Sequence, residues 1–495
     1  MRETVLRLDR ISKRFGTLVA NDAVTVELVK GEVLALLGEN GAGKTTLMNI
    51  LFGHYVPDAG EVSVFGKPLP PGRPRAAIAA GIGMVHQHFA LAPNLTVLDN
   101  VMVGTERLWS LGSDRRAGRA KLAALSERFG LAVDPDARLS DLSVGEQQRV
   151  EILKSLYRDA RILILDEPTA VLTAPEAAAL YATLRHMASE GLSLIFISHK
   201  LNEVLGAADR IVVLRGGKVV AERQASGTTA DELAELMVGR RVERPQRQPR
   251  APGAVLLKAD TVNAGPRLKG LSFEVRAGET LGIVGVSGNG QSDLGALLSG
   301  LLKPSAGRLE IDGQHLPSEP RAFLGAGVGR VPEDRHAEGA IGELSLWENA
   351  ILERVRERRF SMRGFVRRAA AKAFAKRVME RFDVRGGTPT TRTRLLSGGN
   401  MQKLILGRNL VGRPKVLVVA QPTRGLDEGA IAAVHSEILA AREAGAAVVL
   451  ISEDLDEVLR LSDRVMAIVK GRLSASIPVE EADPRRLGLM MAGAT

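Results

Sequence analysis

A chain of 495 residues with 45% hydrophobic and 25% charged side chains is long enough for two or more cores, and wholesale disorder is excluded. It has no cysteine, so disulfides, thiolate metal sites and cysteine nucleophiles are excluded as well. Its net charge of +10 suits an ordinary basic protein as well as one that meets polyanions, and no apolar run approaches the roughly 18 residues that cross a bilayer. Met1-Arg2-Glu3-Thr4-Val5 opens straight into a strand-like run without a leader pattern, so an intracellular location is expected.

In chain order, Phe15 is an early aromatic placed to stack on a base, with core packing as the rival reading. The run Val33-Leu34-Ala35-Leu36-Leu37 then leads into Gly38-Glu39-Asn40-Gly41-Ala42-Gly43-Lys44-Thr45, followed by a helix-like stretch from Thr46. This is G-x-x-x-x-G-K-[ST] in a strand–loop–helix setting. Glycines there let backbone N–H groups close around phosphate oxygens, and the helix N-terminus adds its positive dipole. Lys44 is expected to neutralise the β- and γ-phosphates of a nucleotide, and the Thr45 hydroxyl to sit on Mg²⁺.

Gly83-Met84-Val85-His86 leads to Gln87, whose amide is placed to reach the metal or the attacking water; a plain surface glutamine reads the same way. Arg161-Ile162-Leu163-Ile164-Leu165 ends in Asp166, a strand-end carboxylate suited to Mg²⁺, and Glu167 beside it is the candidate to orient and deprotonate water. Leu194-Ile195-Phe196-Ile197 runs into Ser198-His199, and His199 is the candidate donor to the γ-phosphate. Continuous apolar runs of this kind suit strands buried on both faces, which predicts an α/β fold with a mostly parallel sheet.

Residues 241–253 are rich in proline and charge and have no apolar period, so they read as an extended linker between domains over 1–240 and 254–495. The second half repeats the first. Gly285-Val286-Ser287-Gly288-Asn289-Gly290-Gln291-Ser292 answers the first glycine loop, and adding 254 to Ser143, Asp166 and His199 gives Ser397, Ala420 and Glu453. Gln291 stands where the lysine would be, Glu333 where Gln87 would be, and Gln421 where Glu167 would be. No aromatic lies between Val255 and Leu271 to stack on a base. A phosphate counter-charge and a metal ligand are gone, and Glu453 would repel a γ-phosphate, so the second set is not expected to hydrolyse.

Residues 354–377 are dense in arginine and lysine, with Phe360, Phe365 and Phe374 interleaved. They read either as a solvated helical face with inward aromatics or as a surface for phosphate backbone or lipid headgroups.

Leu142-Ser143-Val144-Gly145-Glu146-Gln147-Gln148-Arg149 and Leu396-Ser397-Gly398-Gly399-Asn400-Met401-Gln402 resemble the signature motif of ABC-type ATPases. With the ordered loop, glutamine, Asp-Glu and histidine, the resemblance covers essentially the whole chain. The tandem arrangement is similar to the ATP-binding subunits of simple-sugar and nucleoside importers. The resemblance implies two tandem P-loop NTPase domains, each a mostly parallel sheet core with an antiparallel β subdomain and a helical signature subdomain.

It also implies ATP with Mg²⁺. One site would use the loop residues Gly38, Glu39, Asn40, Gly41, Ala42 and Gly43, with Lys44, Thr45 and Thr46. Phe15 would hold the base, and Thr45, Gln87 and Asp166 the metal. Glu167 and His199 would complete the chemistry, faced by Ser397, Gly398 and Gly399. The other site would set the eroded second loop against Ser143, Val144 and Gly145.

By the same resemblance the partners are two integral membrane permease subunits, met through residues 88–94 and 334–342, and at one remove an extracytoplasmic substrate-binding protein. The chain would sit peripherally on the cytoplasmic face of the cell membrane, and no nucleic acid is expected. One departure is Ala170-Val171-Leu172-Thr173, which lacks the aspartate that Arg424-Gly425-Leu426-Asp427 keeps. Val85-His86-Gln87-His88-Phe89, Val331-Pro332-Glu333-Asp334-Arg335 and Ala420-Gln421-Pro422-Thr423-Arg424 look more like the nucleoside branch, with ribose- or galactose-type sugars as runner-up. The rival of another class is a tandem ATPase acting on ribosomes. Such proteins typically carry a long charged helical linker and two intact sites, which this chain does not.

Overall fold

The computed structural model describes residues 3–39, 41–86, 89–105, 114–169, 174–198, 200–239, 245–286 and 288–491. The chain divides into two units, Met1–Val242 and Glu243–Thr495. Among the described residues no helix is long and apolar enough to cross a membrane.

In the first unit the central sheet runs, edge to edge, Lys218–Gln224, Arg210–Arg215, Val33–Leu37, Ser193–Ile197, Ile162–Asp166 and Ile82–Val85. Every neighbouring pair is parallel except the outermost, where Lys218–Gln224 returns against Arg210–Arg215. The sequence of Val33–Leu37 explains why this sheet is a middle layer. Val33, Ala35 and Leu37 enter the core on the helical side, whereas Leu34 and Leu36 enter the core under a second, antiparallel sheet. Side chains alternate across a strand, so a run apolar at every position must be covered on both faces. That second sheet is ordered Leu18–Val29, Thr4–Phe15, Ala59–Val64 and Lys67–Pro68.

The second unit repeats the plan. Its central sheet is ordered Val328–Val331, Val416–Ala420, Ala447–Ser452, Thr280–Val284, Arg464–Val469 and Arg472–Leu473. The first five strands are mutually parallel. Its antiparallel sheet is ordered Leu268–Arg276, Val255–Ala264, Pro304–Ile311 and Gln314–His315. In both units the strands point their carboxyl ends at the glycine loop, the side on which open α/β sheets bind ligands.

Of the stretch read as a linker, residues 245–253 carry neither helix nor strand, yet they are tied down rather than free. Arg247 pairs with Asp463 at 2.8 Å and Glu480 at 2.6 Å, and Arg250 donates to the Glu443 carbonyl at 2.5 Å. Arg442, only 1% exposed, grips Asp463 through two bonds of 2.8 and 2.7 Å and donates to the Gln248 carbonyl at 3.1 Å. Without Arg442, Asp463 keeps only Arg247 and the Thr280 N–H, and the Gln248 carbonyl loses its donor, at a cost of about 2–3 kcal/mol. Arg442→Ala is therefore expected to lower the Tm by roughly 5–10 °C and to open residues 245–253 to trypsin. Unchanged melting and cleavage would refute this anchoring role.

Candidate functional site

The first glycine loop follows a fully buried strand and ends in the helix Lys44–Phe52. Two of its glycines are sterically required. A Cβ on Gly38 would lie 2.3 Å from the Leu214 carbonyl oxygen, and one on Gly43 would lie 2.2 Å from that of Ala20; both backbones have positive φ. The helix starts at Gly43 with no side-chain cap and no acidic residue in its first turn. Its opening N–H groups and dipole thus face outward for an anion. Lys44 is buried, and its Nζ donates to the carbonyls of Gly38 at 2.7 Å and Glu39 at 2.9 Å, which curls the loop around the ammonium. Thr45 is exposed beside it and Thr46 is half-buried.

Asp166 is the buried last residue of Ile162–Asp166, two strands away from the loop's own strand. Its carboxyl is pushed from 3.8 up to about 6, first by burial and next by the charge of Glu167, while Lys44 pulls the other way. A desolvated carboxylate beside a second one fits a cation. Glu167 follows in the left-handed region at φ 48°, its N–H donating to the Ile197 carbonyl at 3.0 Å. A non-glycine residue there is strained, and the turn swings its side chain off the line of the strand.

The sign of the Asp166 shift gives a test. The folded protein holds this proton more tightly than the unfolded chain, so stability is lost as pH rises from about 4 through about 6. Without bound cation, Asp166→Asn should raise the Tm at pH 8 by roughly 2–6 °C, for about 1–2 kcal/mol after discounting for solvent, and the gain should shrink towards zero near pH 4. Scanning fluorimetry in EDTA reads this directly; equal melting at pH 8 would refute it.

Phe15 is 43% exposed, which removes the core-packing reading. It meets Tyr55 edge-on at 5.4 Å, with Lys13 over its face at 5.6 Å. Asn40, Gln87 and His199 lie outside the described residues, as do residues 170–173. Gln148, on the signature helix Val144–Tyr157, donates to the Pro168 carbonyl at 2.6 Å and so braces the turn after Glu167.

In the second unit the same backbone is kept with different chemistry. Gln291 is buried and donates to the Val286 carbonyl at 2.8 Å, the loop contact made by Lys44 in the first unit but without its charge. Ser292 donates to Glu333 at 3.2 Å, and Glu333 pairs with Arg424 at 2.8 Å, so the group at the glutamine position is satisfied internally. Ala420 ends its strand where Asp166 ends its own. Gln421 repeats the left-handed turn at φ 46°, its N–H donating to the Ile451 carbonyl at 2.8 Å.

The two signature turns differ too. Ser143 caps its helix while its hydroxyl donates to Glu146 at 2.7 Å, so that donor is spent on a carboxylate. Ser397 caps Gly398–Leu410 and accepts from the Asn400 side chain at 2.9 Å, with no carboxylate in the first turn. The second turn is therefore the more hospitable to a phosphate. Ser397 is exposed, and Gly398 and Gly399 are half-buried beside it. A Cβ on Gly398 would lie 2.8 Å from Arg335, whose guanidinium donates to the Arg424 carbonyl at 2.7 Å.

Reading motifs alone named Arg335 only in the string after Glu333, not beside the Gly398 turn, and missed a buried network that supports both strand ends. Thr169 donates to Glu203 at 2.6 Å and Tyr181 donates to the same carboxylate at 2.7 Å; burial beside Glu203 pushes the Tyr181 hydroxyl up. In the second unit Thr423 at 2.8 Å, His435 at 3.0 Å and Ser452 at 2.6 Å converge on Glu457. The offset of 254 maps Thr169, Tyr181 and Glu203 onto Thr423, His435 and Glu457. Applied to every residue rather than to motifs, that offset would have found the pair.

The comparisons with known proteins follow the same lines. A family model described as ABC transporter matches residues 21–170 and 268–424. The chain is 44% identical to "Nucleoside import ATP-binding protein NupA" of Lactococcus lactis subsp. cremoris (strain MG1363), over 99% of this chain and 98% of that one. It is equally 44% identical to "Glucose import ATP-binding protein TsgD13" of Haloferax volcanii, over 99% of this chain and 96% of that one. Among solved structures, "RNase-L Inhibitor" matches with a TM-score of 0.64 at 18% identity, over 98% of this chain and 92% of that one, a likeness of fold alone. On the matched model and the full-length identities, the chain belongs to the ABC transporter family as one of its ATP-binding, ATP-hydrolysing members.

Proposed function

We propose that this chain energises import of nucleosides across the cell membrane from its cytoplasmic face, hydrolysing ATP at one site only. The observation that carries the single-site reading is the contrast at matched backbone positions. The first unit has Lys44, Asp166 and Glu167 where the second has Gln291, Ala420 and Gln421. In this reading the amides from Gly38 to Thr46 and the Lys44 ammonium hold the phosphates, and Phe15 stacks on the adenine. The Ser397, Gly398 and Gly399 turn supplies the other side of the nucleotide.

Mg²⁺, held by Thr45, Gln87 and Asp166, would supply charge to the β- and γ-phosphates. The raised affinity of Asp166 for a proton supports a cation there. Glu167 orients water and accepts its proton, and His199 donates to the γ-phosphate. Two integral membrane permease subunits would receive the motion, and an extracytoplasmic substrate-binding protein would deliver the cargo.

The nucleoside assignment rests on the strings around Gln87, Glu333 and Gln421 and on the likeness to the Lactococcus protein. Equal identity to a glucose importer's subunit keeps a monosaccharide as the second reading. The test is uptake of labelled nucleosides and monosaccharides by source cells carrying the natural chain or Glu167→Gln at equal expression. Selective loss of nucleoside uptake is expected; selective loss of sugar uptake would move the substrate, and no change in either would refute the import role.

A further inference from the structure

The basic stretch of the second unit is not simply a solvated face with inward aromatics. Phe360 and Phe374 do pack inward, 1% and 0% exposed, with ring centroids 5.1 Å apart. Phe365 does not; it is 80% exposed. It belongs to a two-stranded hairpin in which Ser361–Met362 pairs antiparallel with Phe365–Val366, with Met362 directly opposite Phe365. Arg363 at φ 48° and Gly364 at φ 86° make the turn, a conformation that matches the twist of the flanking strands.

The base of the hairpin is fixed. The Phe360 and Ser361 N–H groups both donate to the Glu357 carbonyl, at 2.8 and 2.9 Å, and Arg367 N–H donates to the Phe360 carbonyl at 2.8 Å. A rigid tip therefore holds Met362, 62% exposed, and Phe365 side by side in water, with Val366 39% exposed behind them. Nothing in the second unit's core needs them there.

Charge is concentrated on the same feature. Residues 354–377 hold ten arginines and lysines against the single Glu357, a net +9 in a chain whose total is +10. Glu357 is already taken by Arg354 and Arg359. Arg356, Arg358, Arg363, Arg367, Arg368 and Lys372 are exposed and stand within ion-pair distance of no carboxylate among the described residues. Guanidinium groups with no carboxylate in ion-pair contact, Arg368 having Glu348 in electrostatic reach, surround an apolar wedge and match a surface that is anionic outside and hydrocarbon just beneath.

The geometry points to the hairpin 361–366 and its flanking arginines as a direct contact with anionic lipid: headgroups on the guanidinium groups, Met362 and Phe365 in the acyl boundary. A single-stranded nucleic acid would use the charge and the Phe365 ring but gives no role to the aliphatic Met362 paired with it. The contact stands apart from the import reading, since it requires no permease.

The test is flotation of the purified full-length chain with protein-free vesicles. One set is phosphatidylcholine and phosphatidylglycerol in equal parts, the other phosphatidylcholine alone. Binding to the anionic set only is expected, weakened by salt. Each basic residue near such a surface changes partitioning by about fivefold, so the triple change Arg356→Gln, Arg363→Gln, Lys372→Gln should weaken it about a hundredfold. Met362→Ser with Phe365→Ser should weaken it roughly tenfold while leaving the melting temperature and ATP turnover in solution unchanged. Absence of binding to the anionic vesicles would overturn the proposal, as would binding by both variants as tight as that of the natural chain. So would displacement from vesicles by single-stranded RNA that needs Phe365, which would assign the patch to nucleic acid.

Discussion

Glu167→Gln is expected to lower ATP turnover by about two to three orders of magnitude, the range of a lost general base, while leaving the fold intact. The second unit supplies the reason to expect an intact fold. Gln421 occupies the matching position at φ 46° against 48° for Glu167, and its N–H makes the matching bond, 2.8 Å to Ile451 against 3.0 Å to Ile197. A glutamine therefore fits this strained turn, and the substitution removes only the carboxylate. Because the second unit presents Ala420 and Gln421 at its own strand end, no second site should sustain turnover. Phosphate release by the purified protein decides it. Activity above a tenth of the natural chain's would mean that another base acts or that the second site hydrolyses.

Lys44→Gln is expected to weaken ATP binding roughly 30- to 150-fold, for about 2–3 kcal/mol, with the melting temperature nearly unchanged. Again the repeat provides the internal control. Gln291 sits in the same place in its loop, buried, donating to the Val286 carbonyl at 2.8 Å as Lys44 donates to Glu39 at 2.9 Å. An amide can hold the loop closed; it cannot offset phosphate charge. Titration of a fluorescent ATP analogue alongside a melting curve separates the two roles. Retained affinity would show that the loop amides and the helix dipole suffice, and a large fall in melting temperature would show that the ammonium holds the loop by charge.

Much of the fold was legible because its signals are local. The run Val33–Leu37 and residues 162–165 are apolar at every position, and only burial on both faces accommodates that. The loop from Gly38 to Thr45 carries its chemistry in consecutive residues, and the offset of 254 exposes the repeat without any structure. The stretch around residues 245–253 was harder. Its prolines and charges signal a stretch without regular structure, and residues 245–253 carry neither helix nor strand, but their anchoring depends on Asp463 and Glu480, more than 200 positions away. No local pattern announces such a pairing.

The amino-acid sequence by itself determined the family, the α/β plan, the glycine loop and the exchange of Lys44, Asp166 and Glu167 for Gln291, Ala420 and Gln421 in the second copy. All of these are written in contiguous motifs whose residue types admit few chemistries. Tertiary structure decided what depends on distant neighbours. It exposed Phe15, raised the Asp166 carboxyl by burial beside Glu167, and satisfied Glu333 with Ser292 and Arg424. It also turned Phe360 and Phe374 inward while leaving Phe365 on a hairpin tip. Side-chain exposure and electrostatic environment are properties of what packs around a residue, and chain order does not encode that packing locally.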